Sequence, residues 1–427
     1  MKSLITIFLF PIFVFATTQS PEYVSHNSTE AHVDFNAFLD LKESNLNELQ
    51  LKERIYTSSK YLVGPMKHGR YPAGLSGGYK VAILKVERIG TKTRVHYKIT
   101  GKMVLKNGIE GEYTFYVLNE PSTAQARGKS CNRNGGTPYW YRWTPGDHCE
   151  LEEETDYQVV KMPIQRIVNT VSTYPEYNKL IKNNEIRIDL FFGMATYNSF
   201  PWDPDQSYDA NASQFRLVRS YLQSLGYNSE VWSEGQIEKI YRPTDGNYPH
   251  VEELTFNGET SNVRVRMFFA DTGYYYNSKA FHYFLQDSVK NASILMYGGH
   301  SGLGANFNLP AIAQKTGLNM DSPKKKYQIF VIESCLPYSY YAQLLHTWKA
   351  GRADKLGTKY LDVFSTGGDV ITFADIGPDM RKLLGYFHNY SSQGLKASYQ
   401  EITSNIHFSR ALFGVTGDED NPTTPEK

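Results

Sequence analysis

The chain has 427 residues, is 41% hydrophobic and 21% charged, and carries a formal net charge of +1. That length exceeds one ordinary domain of roughly 100–200 residues, so two globular units are expected, and the apolar share suffices for packed cores. No excess of either charge argues for a nucleic-acid or polyanionic partner.

The opening residues read as a secretory signal peptide over 1–18. Lys2 supplies the positive start, and Leu4 to Ala16 form an apolar run broken by Thr6 and Pro11. The run ends in Val14-Phe15-Ala16. It is short for a hydrocarbon core of ~30 Å, and Pro11 interrupts it. No second apolar run of about 18 residues follows, so no transmembrane segment is expected after signal removal. The expected location is secreted or periplasmic. Three cysteines, Cys131, Cys149 and Cys335, leave an odd thiol in an exported chain. Cys131 and Cys149 flank one loop rich in Gly, Pro, Tyr and Trp, and a disulfide between them would contribute roughly 3 kcal/mol by restricting the unfolded chain. The alternative, a metal site on His148 and Cys149, lacks further ligands at suitable spacing.

Residues 19–160 are expected to form a β-rich N-terminal domain of sandwich or barrel type. Residues 19–45 are polar and mixed, and read as a loosely ordered lead-in. Leu46, Leu49, Leu51 and Ile55 have helical spacing, which predicts a helix over 45–60. Strands are expected over Tyr79–Val86, Arg94–Ile99, Lys102–Leu105 and Glu112–Leu118, the last two joined in a hairpin at Asn107-Gly108. Residues 160–182 read as a bridging helix.

From residue 186 the rhythm becomes that of an α/β domain, expected over 183–415 with a mainly parallel sheet. Strands are predicted over Ile186–Phe192, Ser229–Trp232, Val263–Phe269, Ala292–Tyr297, Tyr327–Ile332, Tyr360–Phe364 and Val370–Phe373. Helices are predicted over Asn211–Leu225, with Gly226 as the stop, and over Ser278–Val289 and Tyr338–Lys349. A helix or loop fills 305–317, and 233–260 reads as a polar insertion. Continuous apolar strands fit burial on both faces.

Two of those apolar strands end in chemistry. One runs into Gly298-Gly299-His300, the other into Glu333-Ser334-Cys335. Ligands in such sheets bind beyond the carboxyl ends of the strands. A thiol becomes a good nucleophile when a base helps to ionise it. His300 and Cys335 are 35 positions apart (335 minus 300), which leaves room for one crossover between neighbouring strands about 4.8 Å apart. Gly298, Gly299, Gly302 and Gly304 let backbone approach a substrate. The amides near Ser301, Gly302 and Cys335 are the candidate oxyanion hole.

The blocks ILMYGGHSGLG and YQIFVIESC resemble those of clan CD cysteine peptidases, a group that includes caspases, metacaspases, legumains and gingipains. The second is similar to the E-A-C of legumains and the D-S-C of metacaspases, the first to the G-H-G of gingipains. The resemblance covers residues 185–380 and leaves the N-terminal region uncovered. It implies a caspase-like α/β fold, a Cys335–His300 dyad and hydrolysis of a protein or peptide substrate, without metal or organic cofactor. It also implies an Asn near the end of the first strand that orients the imidazole, for which Asn198 is the candidate by position. The family usually has Gly directly after the His, where this chain has Ser301. Leu336, Pro337 and Tyr338 replace the small residues that often follow the Cys.

Other readings stand beside this one. Glu333 reads as a strand-end residue. Asp369, Asp375 and Asp379 are candidates to line a specificity pocket, although surface carboxylates are commoner. Lys324, Lys325 and Lys326 read as a solvated loop or a processing site. A serine hydrolase would use Gly299-His300-Ser301 as a nucleophile elbow, but the elbow needs Gly where Leu303 stands. A catalytically inactive caspase-like binding protein is the other alternative, since fold alone does not establish function.

Overall fold

The computed structural model describes residues 22–68, 72–120, 143, 145, 150–169, 171–196, 202–274, 278–321, 323–368, 376–406 and 412–425. The signal segment, Cys131, His148, Cys149, Asn198, Asp369, Asp375 and the strand expected over Val370–Phe373 lie outside these residues.

Two strands open the described chain, β1 (Tyr23–Val24) and β2 (Ser28–Leu41). The second corrects the expectation of a loose lead-in. Ala31, Val33, Phe35, Ala37, Leu39 and Leu41 alternate along it and are all buried, the period-two signature of a strand with one face in a core. The helix Glu48–Ser59 follows, capped by Asn47 and Gln50 in a reciprocal capping box. Then come β3 (Ala73–Leu75), β4 (Lys80–Ile89) and β5 (Lys92–Lys106). In the smaller sheet β5 lies between β3 and β2, pairs also with β4, and is a single strand where two were expected. Val95, Tyr97, Ile99, Met103 and Leu105 line its buried face.

The hairpin expected at Asn107-Gly108 does not form. β6 (Glu112–Leu118) pairs instead with β7 (Tyr157–Pro163) in a separate ribbon. Phe115 of that ribbon stacks on Phe35 at 4.6 Å between ring centroids, so apolar packing across the layers outweighs the local turn signal. The helix expected over 160–182 is absent as well. That stretch holds β7, β8 (Gln165–Ile167) and one helical turn at Tyr177–Leu180. Pro163 and Pro175 each remove an amide that a helix would need.

The second sheet is α/β in character and mixed. Its strands are β9 (Glu185–Gly193), β10 (Asn228–Val231), β11 (His250–Asn257), β12 (Asn262–Ala270), β13 (Ile294–Gly298), β14 (Gln328–Glu333), β15 (Leu361–Thr366) and β16 (Phe413–Thr416). The spatial order is β1-β16-β15-β14-β13-β9-β12-β11-β10. The run from β12 to β15 is parallel. The expected mainly parallel sheet is thus corrected to a parallel centre with antiparallel edges. The polar reading of 233–260 missed β11, whose Val251 and Leu254 are buried beside β12.

Helices cover both faces. Phe215 on the helix Ala210–Ser224 meets Phe192, whereas Phe281 on the helix Lys279–Asn291 meets Phe191. Successive strand residues point to opposite faces, so these two helices lie on opposite sides of β9. The helix Ile376–Gln393 packs beside the first of them and buries Met380, Leu383, Leu384 and Phe387. It also holds Asp379, which is buried in its first turn rather than being a surface carboxylate.

The two layers meet near the ends of β14 and β15. Tyr23, Val104, Tyr338, Ala342 and Leu412 form one buried cluster there. The Tyr338 hydroxyl donates to Glu30 at 2.6 Å, and Lys102 reaches the other Glu30 oxygen at 2.9 Å. A Cβ on Gly74 would lie 2.3 Å from the Gly367 carbonyl oxygen, so backbone packs directly on backbone.

Candidate active site

Parallel pairing fixes where the two candidate residues emerge. Gly298 at the end of β13 is in register with Glu333 at the end of β14. The Gly299 amide extends the ladder by donating to the Glu333 carbonyl at 3.1 Å. His300 and Cys335 each lie two residues beyond that last pair (300 minus 298, 335 minus 333). They therefore leave adjacent strands at the same rim, as expected. Both are partly exposed, and Cys335 is a free thiol. Glu333 is fully buried at the end of its strand.

The histidine is held from three sides. Its Nε2 donates to the Ala195 carbonyl at 2.8 Å. In the neutral ring that bond places the proton on Nε2 and makes Nδ1 the basic nitrogen. Ala195 lies just past β9, the strand next to β13. Its own amide and that of Thr196 donate to Asp209, at 3.1 and 2.9 Å. The same carboxylate caps the helix Ala210–Ser224 through the Asn211 amide, so one side chain fixes both a helix start and the carbonyl that orients His300. The candidate for that orienting role, Asn198, lies outside the described residues.

The backbone around the imidazole is pinned as well. The Tyr297 hydroxyl donates to the His300 carbonyl at 2.6 Å and lies 3.0 Å from the Thr272 hydroxyl. The Asn306 side-chain amide donates to the same His300 carbonyl at 2.9 Å, while its oxygen accepts from the Tyr274 amide at 2.8 Å. The Ser301 carbonyl accepts from the Asn306 amide at 3.1 Å and from the Tyr341 hydroxyl at 2.7 Å. Gly302, Leu303 and Gly304 then run through positive φ values of 55, 55 and 87°. A Cβ on Gly302 would meet Asn306 at 2.2 Å, so glycine serves both the left-handed backbone and the close approach.

On the cysteine side, Leu336 turns the chain with φ of 54°, and its amide donates to the Gly368 carbonyl at 3.2 Å. A π-helical turn over Tyr338–Ala342 leads into the helix Gln343–Lys349, so the helix expected over Tyr338–Lys349 is present with an irregular first turn. The amides of Ser301, Gly302 and Cys335 donate to no acceptor among the described residues. Ser301 is 4% exposed and is thus far less accessible than the thiol.

Sequence reading missed Ala195, Asp209, Thr272, Tyr297, Asn306 and Tyr341 as supports of the site. A backbone carbonyl acceptor leaves no trace in residue identity. The lysine run is only partly solvated. Lys324 and Lys325 are exposed, but Lys326 is half-buried and donates to the Ala292 carbonyl at 2.8 Å. Burial pushes the Lys326 ammonium down to about 8.

Among the described residues no cluster of three His, Cys, Asp or Glu side chains is placed to hold a metal ion. No described helix is long and apolar enough to cross a membrane. No protein-family model, curated protein or solved structure matches this chain.

Proposed function

We propose that this chain is an exported cysteine endopeptidase of the clan CD type, acting through a Cys335–His300 dyad on a protein or peptide substrate. The observation that carries the reading is the shared register of the two residues past β13 and β14, with the His300 ring oriented through Nε2 by the Ala195 carbonyl. The sequence blocks around both residues support it independently.

In this mechanism His300 Nδ1 takes the proton of the Cys335 thiol. The thiolate attacks the scissile carbonyl carbon, and the carbonyl π electrons move onto oxygen. The amides of Gly302 and Cys335 hold that oxyanion. The imidazolium then gives its proton to the leaving amine as the C–N bond breaks. Water, deprotonated by His300, releases the acyl group and restores the thiol. No cofactor enters these steps.

The test is labelling of the purified chain, freed of residues 1–18, with iodoacetamide across pH. An ordinary thiol ionises near pH 8.5. Cys335 is expected to react readily near neutrality and to lose that advantage in His300→Ala. A rate unchanged by His300→Ala sinks the dyad and leaves the fold as a binding module.

A further inference from the structure

A cavity of about 300 Å³ opens between the two layers, immediately beside the dyad. Its floor on the large-sheet side is Leu303, Leu336 and Tyr340. Leu336 is the residue after Cys335, and consecutive Cα atoms lie about 3.8 Å apart. Leu303 is the third residue after His300. Both loops that carry the dyad therefore also build this cavity. The opposite wall comes from the smaller layer, through the stretch from Tyr56 to Met66 and through β3, and includes Leu62, Val63 and Leu75.

The lining is mostly apolar, with Ser59, Tyr79, Ser339, Tyr340 and Tyr56 contributing hydroxyls. The Ser59 and Tyr79 hydroxyls bond each other, and Ser59 also donates to the Tyr56 carbonyl. Lys60 is the one charged side chain in the described lining, and it is exposed at the rim. A charged group driven inside would lose its hydration without a buried partner, whereas an apolar group gains by leaving water. The volume sits at the lower end of ligand pockets, which run roughly 300–1,000 Å³, so it suits one large side chain rather than a length of chain.

We propose that this cavity is a specificity pocket, which takes a large apolar side chain of the peptide next to the bond cleaved. The inference rests on the peptidase reading for its substrate, but the pocket can be probed without catalysis. It also gives the smaller layer a role, since most of the pocket wall comes from it.

The experiment compares three reagents on the full chain freed of residues 1–18. These are iodoacetamide, N-phenethyl-iodoacetamide and N-iodoacetyl-glycine, each rate being divided by its rate with free cysteine. The phenethyl reagent is expected to label Cys335 about 10-fold or more faster than iodoacetamide, the scale of one well-placed apolar contact. The carboxylate reagent is expected to gain nothing. Val63→Trp and Leu75→Trp fill the cavity from two separate elements. Each is expected to remove the phenethyl advantage while the iodoacetamide rate stays unchanged. Equal rates for all three reagents, an advantage for the carboxylate, or a phenethyl advantage that survives in both variants overturns the pocket. A phenethyl advantage that persists in His300→Ala, alongside an iodoacetamide rate untouched by that change, keeps the pocket and sinks the peptidase reading. With an active enzyme, peptides carrying Phe, Leu or Met beside the scissile bond are expected to be cleaved at least about 10-fold better than those carrying Asp or Lys, and the reverse order overturns the proposal.

Discussion

Asp209 shows how much of the candidate site depends on a residue outside the Cys335–His300 pair. Its carboxylate accepts from the Ala195, Thr196 and Asn211 amides. Asp209→Ala is expected to lower stability by about 1 kcal/mol, the usual loss for a helix cap. It is also expected to weaken the pH advantage of Cys335 labelling, because the carbonyl that orients His300 loses its anchor. Asp209→Asn keeps one acceptor oxygen, so partial recovery of the labelling profile separates this positioning role from a purely structural one. Thr272→Val removes the hydroxyl beside Tyr297 and tests the second support, with unchanged labelling as the contrary result. A second histidine sets a pH response away from the site. His346 is fully buried, with Nε2 at 2.9 Å from the Thr416 hydroxyl, and burial pushes its imidazole down from 6.5 to about 4. The folded chain keeps the ring neutral where the unfolded chain protonates it, so stability is full above pH 6.5 and is lost as pH falls toward 4. At about 1.4 kcal/mol per pH unit the loss approaches about 3 kcal/mol. Asp418 works against it. Burial raises that carboxyl from 3.8 to about 6, which gives stability below 3.8 that is lost as pH rises through 6. The readout is therefore the difference between wild type and His346→Gln in denaturant titrations, with a shallower acid slope expected in the variant. At this scale the placement of His300 and Cys335 at one rim is legible because each follows an apolar strand and the two strands pair in parallel. The role of Ala195 is not, because it contributes only a peptide oxygen.

Among the elements, strands that are buried on both faces were read well. β13 and β14 lie where continuous apolar runs predict them, and β9 and β12 lie where strands are expected over Ile186–Phe192 and Val263–Phe269. The helices Ala210–Ser224 and Lys279–Asn291 follow their spacing as well. Errors fell where partner choice decides. β2 alternates as clearly as any strand in the chain, but polar residues on its other face made it resemble a lead-in. The β5–β6 turn carries a strong Asn-Gly signal, yet β6 takes β7 as its partner. The contact between layers yields a sharp expectation. Gly74→Ala places a methyl 2.3 Å from a backbone oxygen that has no rotamer to change. Overpacking of this kind costs typically about 1–3 kcal/mol. A lowered midpoint in denaturant is expected, together with a reduced phenethyl advantage at Cys335 as β3 shifts away from the pocket. Unchanged stability would mean that the layers slide apart freely.

On the scale of the molecule, the two layers are tied rather than merely adjacent. β1 belongs to the large sheet and β2 to the small one, with three residues between them. The buried Tyr23, Val104, Tyr338 and Leu412 come from both. Unfolding followed by tryptophan fluorescence and by Cys335 accessibility is accordingly expected to give one coincident transition, and two separated transitions would contradict this coupling.

The pairing of β1 with β16 sets a clock. Tyr23 pairs with Thr416, 393 positions away (416 minus 23). On a ribosome adding about 5–20 residues per second, Tyr23 waits roughly 20–80 s for its partner to be made. For roughly the last 2–9 s of that interval, while the 47 positions from the end of β15 to the start of β16 are added (413 minus 366), β15 presents a bare edge that β16 cannot yet close. The small layer, whose pairings are mostly shorter in range, can form first and hold β1 in place beside it. Newly made chain is thus expected to pass through a stage in which the small layer is protected from proteolysis and the rim carrying Cys335 is not, and the thiol acquires its setting among the last events of synthesis.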